Sequence, residues 1–123
     1  MKTIKPKIYI SAPFSGYDLK ERRESFARWA RVLLNAGCEP VNPLENGLPE
    51  DAPYKEHIKA DIKLLMECDG FVLDNRWICS RGCKCEVAVA EACELTMIGR
   101  IKNGELELDM NRFKQLKSIL RRR

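Results

Sequence analysis

The stretch Gly70-Phe71-Val72-Leu73-Asp74-Asn75-Arg76-Trp77-Ile78-Cys79-Ser80-Arg81-Gly82-Cys83-Lys84-Cys85-Glu86 decides how this chain is read. Its first four residues are an apolar run of strand length, its middle is polar and aperiodic, and a helix opens close to Gly82. Strand, loop and helix in that order form the repeating unit of a parallel α/β sheet. On a helical wheel Glu86 falls in the arc of Cys83, Val89, Ala90 and Cys93, among residues that should face the core. A carboxylate is costly to bury alone, so Glu86 is expected to be paired, protonated or facing a cleft. Just past a strand and near a helix N-terminus, it stands where open α/β sheets build ligand sites.

Working outward, the same alternation recurs. Lys7-Ile8-Tyr9-Ile10-Ser11 reads as a first strand, ended by the turn Ala12-Pro13-Phe14-Ser15-Gly16. Asp18 is placed to cap a helix reaching Asn35, with Phe26, Trp29, Ala30, Leu33 and Leu34 as its apolar stripe and Gly37 as its stop. A short strand over 38–41 follows, then a Pro-, Asn- and Gly-rich loop over 42–53 that is expected to lie over the site. A second helix over 54–67 carries Ile58, Ile62, Leu65 and Met66, the third covers 81–94, and 95–98 is a fourth strand. Residues 99–108 suggest a hairpin-like excursion around Asn103-Gly104. A last helix from about Asp109 carries Met110, Phe113, Leu116, Ile119 and Leu120. The expected architecture is one α/β domain, a three-layer, doubly wound, mainly parallel sheet of four to five strands with right-handed crossovers, of the flavodoxin or Rossmann type.

Composition narrows the function classes. The chain has 123 residues, 45% of them hydrophobic and 33% charged, which describes one globular domain rather than a disordered segment. No stretch approaches the roughly 18 apolar residues of a membrane span, and the apolar piece after the basic start Met1-Lys2-Thr3-Ile4-Lys5 is too short for a signal peptide. A cytoplasmic protein is therefore expected, and its six cysteines read as reduced thiols. Cys79, Cys83 and Cys85 lie close in sequence, yet with His57 as the one histidine they lack the pair spacing of a structural zinc site. No metal and no cofactor are expected, and Cys38, Cys68 and Cys93 read as small buried hydrophobes. The net charge of +4 owes part of its value to Arg121-Arg122-Arg123, read as a solvated helix end rather than a nucleic-acid tail.

Asp61 is a second carboxylate out of place, lying between Ile58, Ile62 and Leu65 on a helix face that should meet the sheet. Two inward carboxylates suit the splitting of a glycosidic bond, one attacking or stabilising the anomeric carbon and the other giving a proton to the leaving group. Alternatively, either one caps a neighbouring loop or pairs with Arg76 or Arg81. Tyr9, in the first strand, is placed to hydrogen-bond Glu86 and hold its rotamer, or simply to fill the core. Ser11, Pro13, Ser15 and Gly16 after that strand, with Ser80 and Gly82 at the third helix, form small-residue loops suited to a phosphate or sugar hydroxyl. Trp77 is placed to stack on a flat base, or to pack.

Several of these segments resemble the nucleoside 2-deoxyribosyltransferase superfamily. Lys7-Ile8-Tyr9-Ile10-Ser11-Ala12-Pro13-Phe14 is similar to its first strand and loop, and Ala60-Asp61-Ile62 with Cys68-Asp69-Gly70-Phe71-Val72-Leu73 to its aspartate-bearing helix and third strand. Trp77-Ile78-Cys79-Ser80-Arg81-Gly82-Cys83-Lys84-Cys85-Glu86 resembles its Ser/Asp-x-Gly-x-x-x-Glu element, and is similar to a Trp-x-x-Ser-x-Gly-x-x-x-Glu run in an uncharacterised bacterial and phage branch. The resemblance covers about residues 7–98. It implies a nucleophilic Glu86 that forms a glycosyl-enzyme at the sugar C1′, an Asp61 that contacts or protonates the base, and a Tyr9 that orients the glutamate. Ser80 stands where the transferases carry an aspartate and where the 2′-deoxynucleoside 5′-monophosphate N-glycosidases carry serine, which leans toward a nucleotide and toward water as acceptor. Characterised members follow the glutamate with Leu/Ile-Gly, whereas Val87-Ala88 follows here, and the Ala88 Cβ is expected to crowd the ligand.

The expected function is cleavage or transfer of the N-glycosidic bond of a nucleoside or nucleoside 5′-monophosphate, with a non-catalytic nucleotide-binding module as the alternative. The resemblance also implies a homo-oligomer in which neighbouring subunits complete each site. The face formed by Phe113, Leu116 and Leu120 is one candidate for that contact, and intramolecular packing is the other use open to it. A membrane partner is not expected. Nucleic acid, through Lys114, Lys117 and the terminal arginines, is the least favoured partner.

Overall fold

A computed structural model describes residues 4–122 of the chain, so Met1-Lys2-Thr3 of the basic start and Arg123 of the terminal run lie outside the described residues. Strand β1 (Lys7–Ser11) is joined through α1 (Leu19–Asn35) to β2 (Glu39–Val41), and through α2 (Tyr54–Met66) to β3 (Gly70–Asp74). Helix α3 (Arg81–Ala92) leads to β4 (Thr96–Lys102), which turns into β5 (Glu105–Leu108) before α4 (Met110–Arg121). The five strands form one sheet in the order β2-β1-β3-β4-β5, with β5 antiparallel and all other pairs parallel. This is the α/β architecture expected from the alternation of strand and helix.

Period-two alternation sends the β-strand side chains into two cores. Ile8, Ile10 and Val72 pack under α1 and α4 with Phe26, Trp29, Leu33, Phe113 and Leu116. Tyr9, Phe71 and Leu73 point the other way, against Leu65 of α2 and Ala90 of α3. Trp29 is fully buried and its indole Nε1 donates to the Gly104 carbonyl at 2.9 Å, pinning α1 to the β4–β5 turn. Truncating such a side chain costs about 3–5 kcal/mol.

The structure corrects several sequence expectations. The fourth strand does not stop at Ile98 but runs on to Lys102, so the excursion around Asn103-Gly104 is an antiparallel hairpin within the main sheet. Both turn residues have positive φ, 51° and 83°, as a two-residue hairpin of this hand requires. Gly99, which reads as a break, lets β5 come close: a Cβ there would meet the Glu107 carbonyl oxygen at 2.8 Å. Residues 42–53 contain one turn of 3₁₀ helix, Pro43–Glu45, whose Asn42 side chain accepts from the Leu44 amide at 3.0 Å.

Leu34, Met66, Met110 and Ile119 are exposed rather than buried, because each lies at the margin of its helix's apolar arc. Cys93 is exposed as well, since α3 ends at Ala92 and the helical period no longer governs it. Phe113 and Leu116 are buried in the α1/α4 core with Leu120 packed against it, so this face serves intramolecular packing and not a subunit contact. No helix among the described residues is long and apolar enough to cross a membrane.

Candidate active site

The sheet order reverses beside β1, whose neighbours β2 and β3 lead away in opposite directions. A crevice opens outside the carboxyl ends of the strands at such a switch point. Here it is a cleft of about 610 Å³, walled by Ala12, Phe14 and Ser15, by α1, by the 43–52 segment, by α2 and by the start of α3.

Glu86 lies at its floor, 6% exposed. The second turn of α3 carries it inward, and Ser80 fixes the start of that helix by accepting from the Cys83 amide at 3.2 Å. From β1, the Tyr9 hydroxyl donates a short hydrogen bond to Glu86 Oε2 and the Ser11 hydroxyl donates to Oε1 at 2.7 Å. Each carboxylate oxygen thus has one donor, and neither donor is a cation. The two arginines that the sequence offers as partners are engaged elsewhere: Arg76 binds Asp74, with Nη2 at 3.0 Å from Oδ2, and Arg81 lies over the Tyr54 ring at 4.9 Å. Burial pushes the Glu86 carboxyl up to about 7 against the opposing pull of the two hydroxyls, and the neighbouring Asp61 charge adds to the rise.

Asp61 also lines the cleft. Asn46 Nδ2 donates to its Oδ1 at 2.9 Å and lies 3.1 Å from His57 Nδ1, so one amide ties the 42–53 segment to α2. Burial raises the Asp61 carboxyl, and the Asn46 hydrogen bond and the His57 charge oppose the rise. Burial raises the Tyr9 phenol well above its usual value, helped by Glu86 and Asp61, so Tyr9 stays a donor at neutral pH. Cys83 shares the cleft, but burial pushes its thiol up to about 11, which removes it as a nucleophile near pH 7.

The remaining expected residues divide by position. Ser15, Ser80 and Gly82 line the cleft together with Glu86 and Asp61. Tyr9 and Ser11 stand behind Glu86 and hold it. Pro13, Gly16 and Trp77 are not on the cleft wall. Pro13 is buried, and its carbonyl accepts from Arg22 Nη1 at 2.8 Å. Gly16 takes φ 86° at the third position of the turn that closes with Tyr17 N donating to Phe14 O at 3.3 Å. Trp77 packs on the α2/α3 core beside Leu73 instead of facing a base. Ala88 is exposed and off the cleft wall, so its Cβ does not crowd a ligand.

The sequence reading missed Asn46, His57 and Arg22. His57 sits four residues before Asp61, one turn away on the same helix face, so spacing carried that signal. Arg22, 3% exposed, continues the Phe26, Trp29 and Leu33 stripe by one turn, and periodicity would have found it too. Asn46 had no such signal, because the contact joins a loop without a period to a helix. No group of three or more metal-binding side chains occurs among the described residues.

Such a floor holds a carboxylate that is nearly dry, oriented by two hydroxyls and uncompensated by a cation, close to a second raised carboxylate. That pair can serve as nucleophile and acid. A comparison with curated proteins finds none that matches the chain. Residues 6–99, more than half of the sequence, match the family described as a domain of unknown function, DUF4406, and the chain belongs to that family.

Proposed function

We propose that this DUF4406 protein is a nucleoside deoxyribosyltransferase-like enzyme that cleaves or transfers the N-glycosidic bond of a nucleoside or nucleoside 5′-monophosphate. One observation carries the proposal: Glu86 is buried, held by Tyr9 and Ser11, lacks a cationic partner among the described residues, and shares its cleft with Asp61. A buried glutamate kept for stability would be paired or replaced by an apolar residue, whereas one aimed into a cleft is available to a ligand.

In this reading ionised Glu86 attacks C1′ and the C1′–N bond breaks, its electron pair passing to the ring nitrogen. Asp61 contacts the departing base and supplies a proton to one that leaves as an anion. Water or a second base then attacks C1′, gives its proton to the Asp61 carboxylate, and the Glu86 carboxylate departs. Tyr9 and Ser11 orient Glu86 and favour its ionised form against the cost of burial. Assembly as a homo-oligomer belongs to the same proposal.

The test is base release, followed by chromatography, from ribo- and deoxyribonucleosides and their 5′-monophosphates, with and without a free base as acceptor. Release by the wild type and none by Glu86→Gln supports the enzyme. Ligand-induced stabilisation of both proteins without any release supports a non-catalytic nucleotide-binding module instead.

A further inference from the structure

The charges around the cleft are unevenly distributed. Glu50, Asp51, Asp61 and Glu86 all reach its wall, against Arg23 and His57 on the basic side. Arg23 is ion-paired with Glu50, and His57 is tied to Asn46. With Arg23 and Glu50 cancelling, Asp51, Asp61 and Glu86 have no further arginine or lysine among the described residues of the wall to balance them. The α3 N-terminus, the usual seat for an anion, has its first turn capped by Ser80 and Glu86 one turn further in. Arg81 lies outside the wall, stacked on Tyr54. Two aromatic rings, Phe14 and Tyr54, also line the cleft, each about 40% exposed.

Carboxylates combined with an open aromatic face, here that of Phe14 since Tyr54 already carries the Arg81 guanidinium, are what a delocalised cation binds, and they repel a phosphate. We propose that the cleft selects a nucleoside whose base carries a positive charge and disfavours phosphorylated nucleosides. The proposal rests on the nucleoside reading and gives its substrate class. A cationic base also fits the chemistry. When Glu86 attacks C1′ and the C1′–N bond breaks, the electron pair neutralises the ring nitrogen, so the base leaves uncharged and takes no proton. Water then cleaves the glycosyl ester, yielding the free sugar, the Glu86 carboxylate and one released proton. Asp61 acts throughout as an ionised contact to the positive ring, a role in keeping with its acceptance of the Asn46 amide hydrogen.

The experiment measures Kd at pH 7.5 for two matched sets: adenosine, 1-methyladenosine and adenosine 5′-monophosphate; and reduced nicotinamide riboside, nicotinamide riboside and nicotinamide mononucleotide. The cationic nucleoside of at least one set should bind tenfold or more tighter than its neutral counterpart, with the monophosphate the weakest of that set. In Asp51→Asn the cation-over-neutral ratio should shrink several-fold. Equal or weaker binding of both cations, or a monophosphate as tight as its nucleoside, overturns the inference and leaves the nucleoside reading standing. If no compound of either set binds, this inference falls, and base release from the wider panel decides the nucleoside reading separately.

Discussion

Two carboxylates lie buried near the carboxyl ends of the strands, and they are treated in opposite ways. Asp74, 2% exposed, closes β3 with its charge answered: it accepts from the Arg76 amide at 2.8 Å and from Arg76 Nε and Nη2 at 3.1 and 3.0 Å. Glu86, 6% exposed, receives two hydroxyl hydrogens and, among the described residues, no cation. Burial is equal to within a few percent, so burial alone does not distinguish structure from chemistry. The partner does. A carboxylate forked by arginine is neutralised and fixed, and its role ends there. One held by neutral hydroxyls keeps a raised affinity for a proton, or for an electrophilic carbon, that a ligand can relieve.

The largest expected break in this contrast is Glu86→Gln. Base release should fall by at least about a thousandfold, as expected when a nucleophile is removed, while the fold persists. Stability gives an independent readout. The folded-state value of Glu86, about 7, lies above its ordinary 4.5, so the folded chain keeps a proton that the unfolded chain loses. Its contribution to stability is full below about pH 4.5, falls as pH rises through 7, and is flat beyond. Glu86→Gln lacks that loss, so relative to wild type it should gain stability with rising pH, reaching about 3 kcal/mol by pH 8. Urea unfolding of both proteins at pH 4.5 and 8 measures the gain, and an unchanged difference would show that Glu86 is not strained.

Asp74→Ala should do the reverse. It strands a guanidinium that is 45% exposed, so the cost is about 1–2 kcal/mol rather than the full price of a broken buried pair, and the chemistry should stay within about threefold of wild type. A thousandfold loss of base release here would erase the distinction between the two carboxylates.

Tyr9→Phe sharpens the contrast from within the site. The lost hydroxyl was lowering the Glu86 value, so the acid limb of kcat/KM, which rises as Glu86 ionises near pH 7, should move to higher pH. The rate at neutral pH should drop about tenfold. A merely structural Tyr9 would lower the rate without moving the limb. The smallest effect is expected for Asn46→Ala. Removing that amide lifts the Asp61 carboxyl further, so the limb that Asp61 contributes should move to higher pH while kcat falls about threefold. A pH profile on one neutral substrate reads both shifts.

Much of this was legible in the sequence, and the reason is periodicity. The wheel put Glu86 and Asp61 inward because a helix repeats every 3.6 residues whatever surrounds it, and alternation put Tyr9 and Ser11 on one side of β1. Contacts between elements were illegible. No spacing reveals that Asn46 reaches Asp61, or that Trp77 turns to the core while Ser80, three residues on, turns to the cleft. Gly99 misled for a related reason: a glycine that lets a neighbouring strand approach looks, in one dimension, like a glycine that ends a strand.

The most direct measurement is peptide mass mapping after acid quench of the enzyme with a 2-deoxy-2-fluoroarabinosyl nucleoside, whose fluorine slows breakdown of a glycosyl ester. The account predicts that the peptide containing Glu86 gains the mass of the fluorosugar, and that Glu86→Gln shows no gain. Base release without an adduct, or an adduct carried by Asp61, would contradict it.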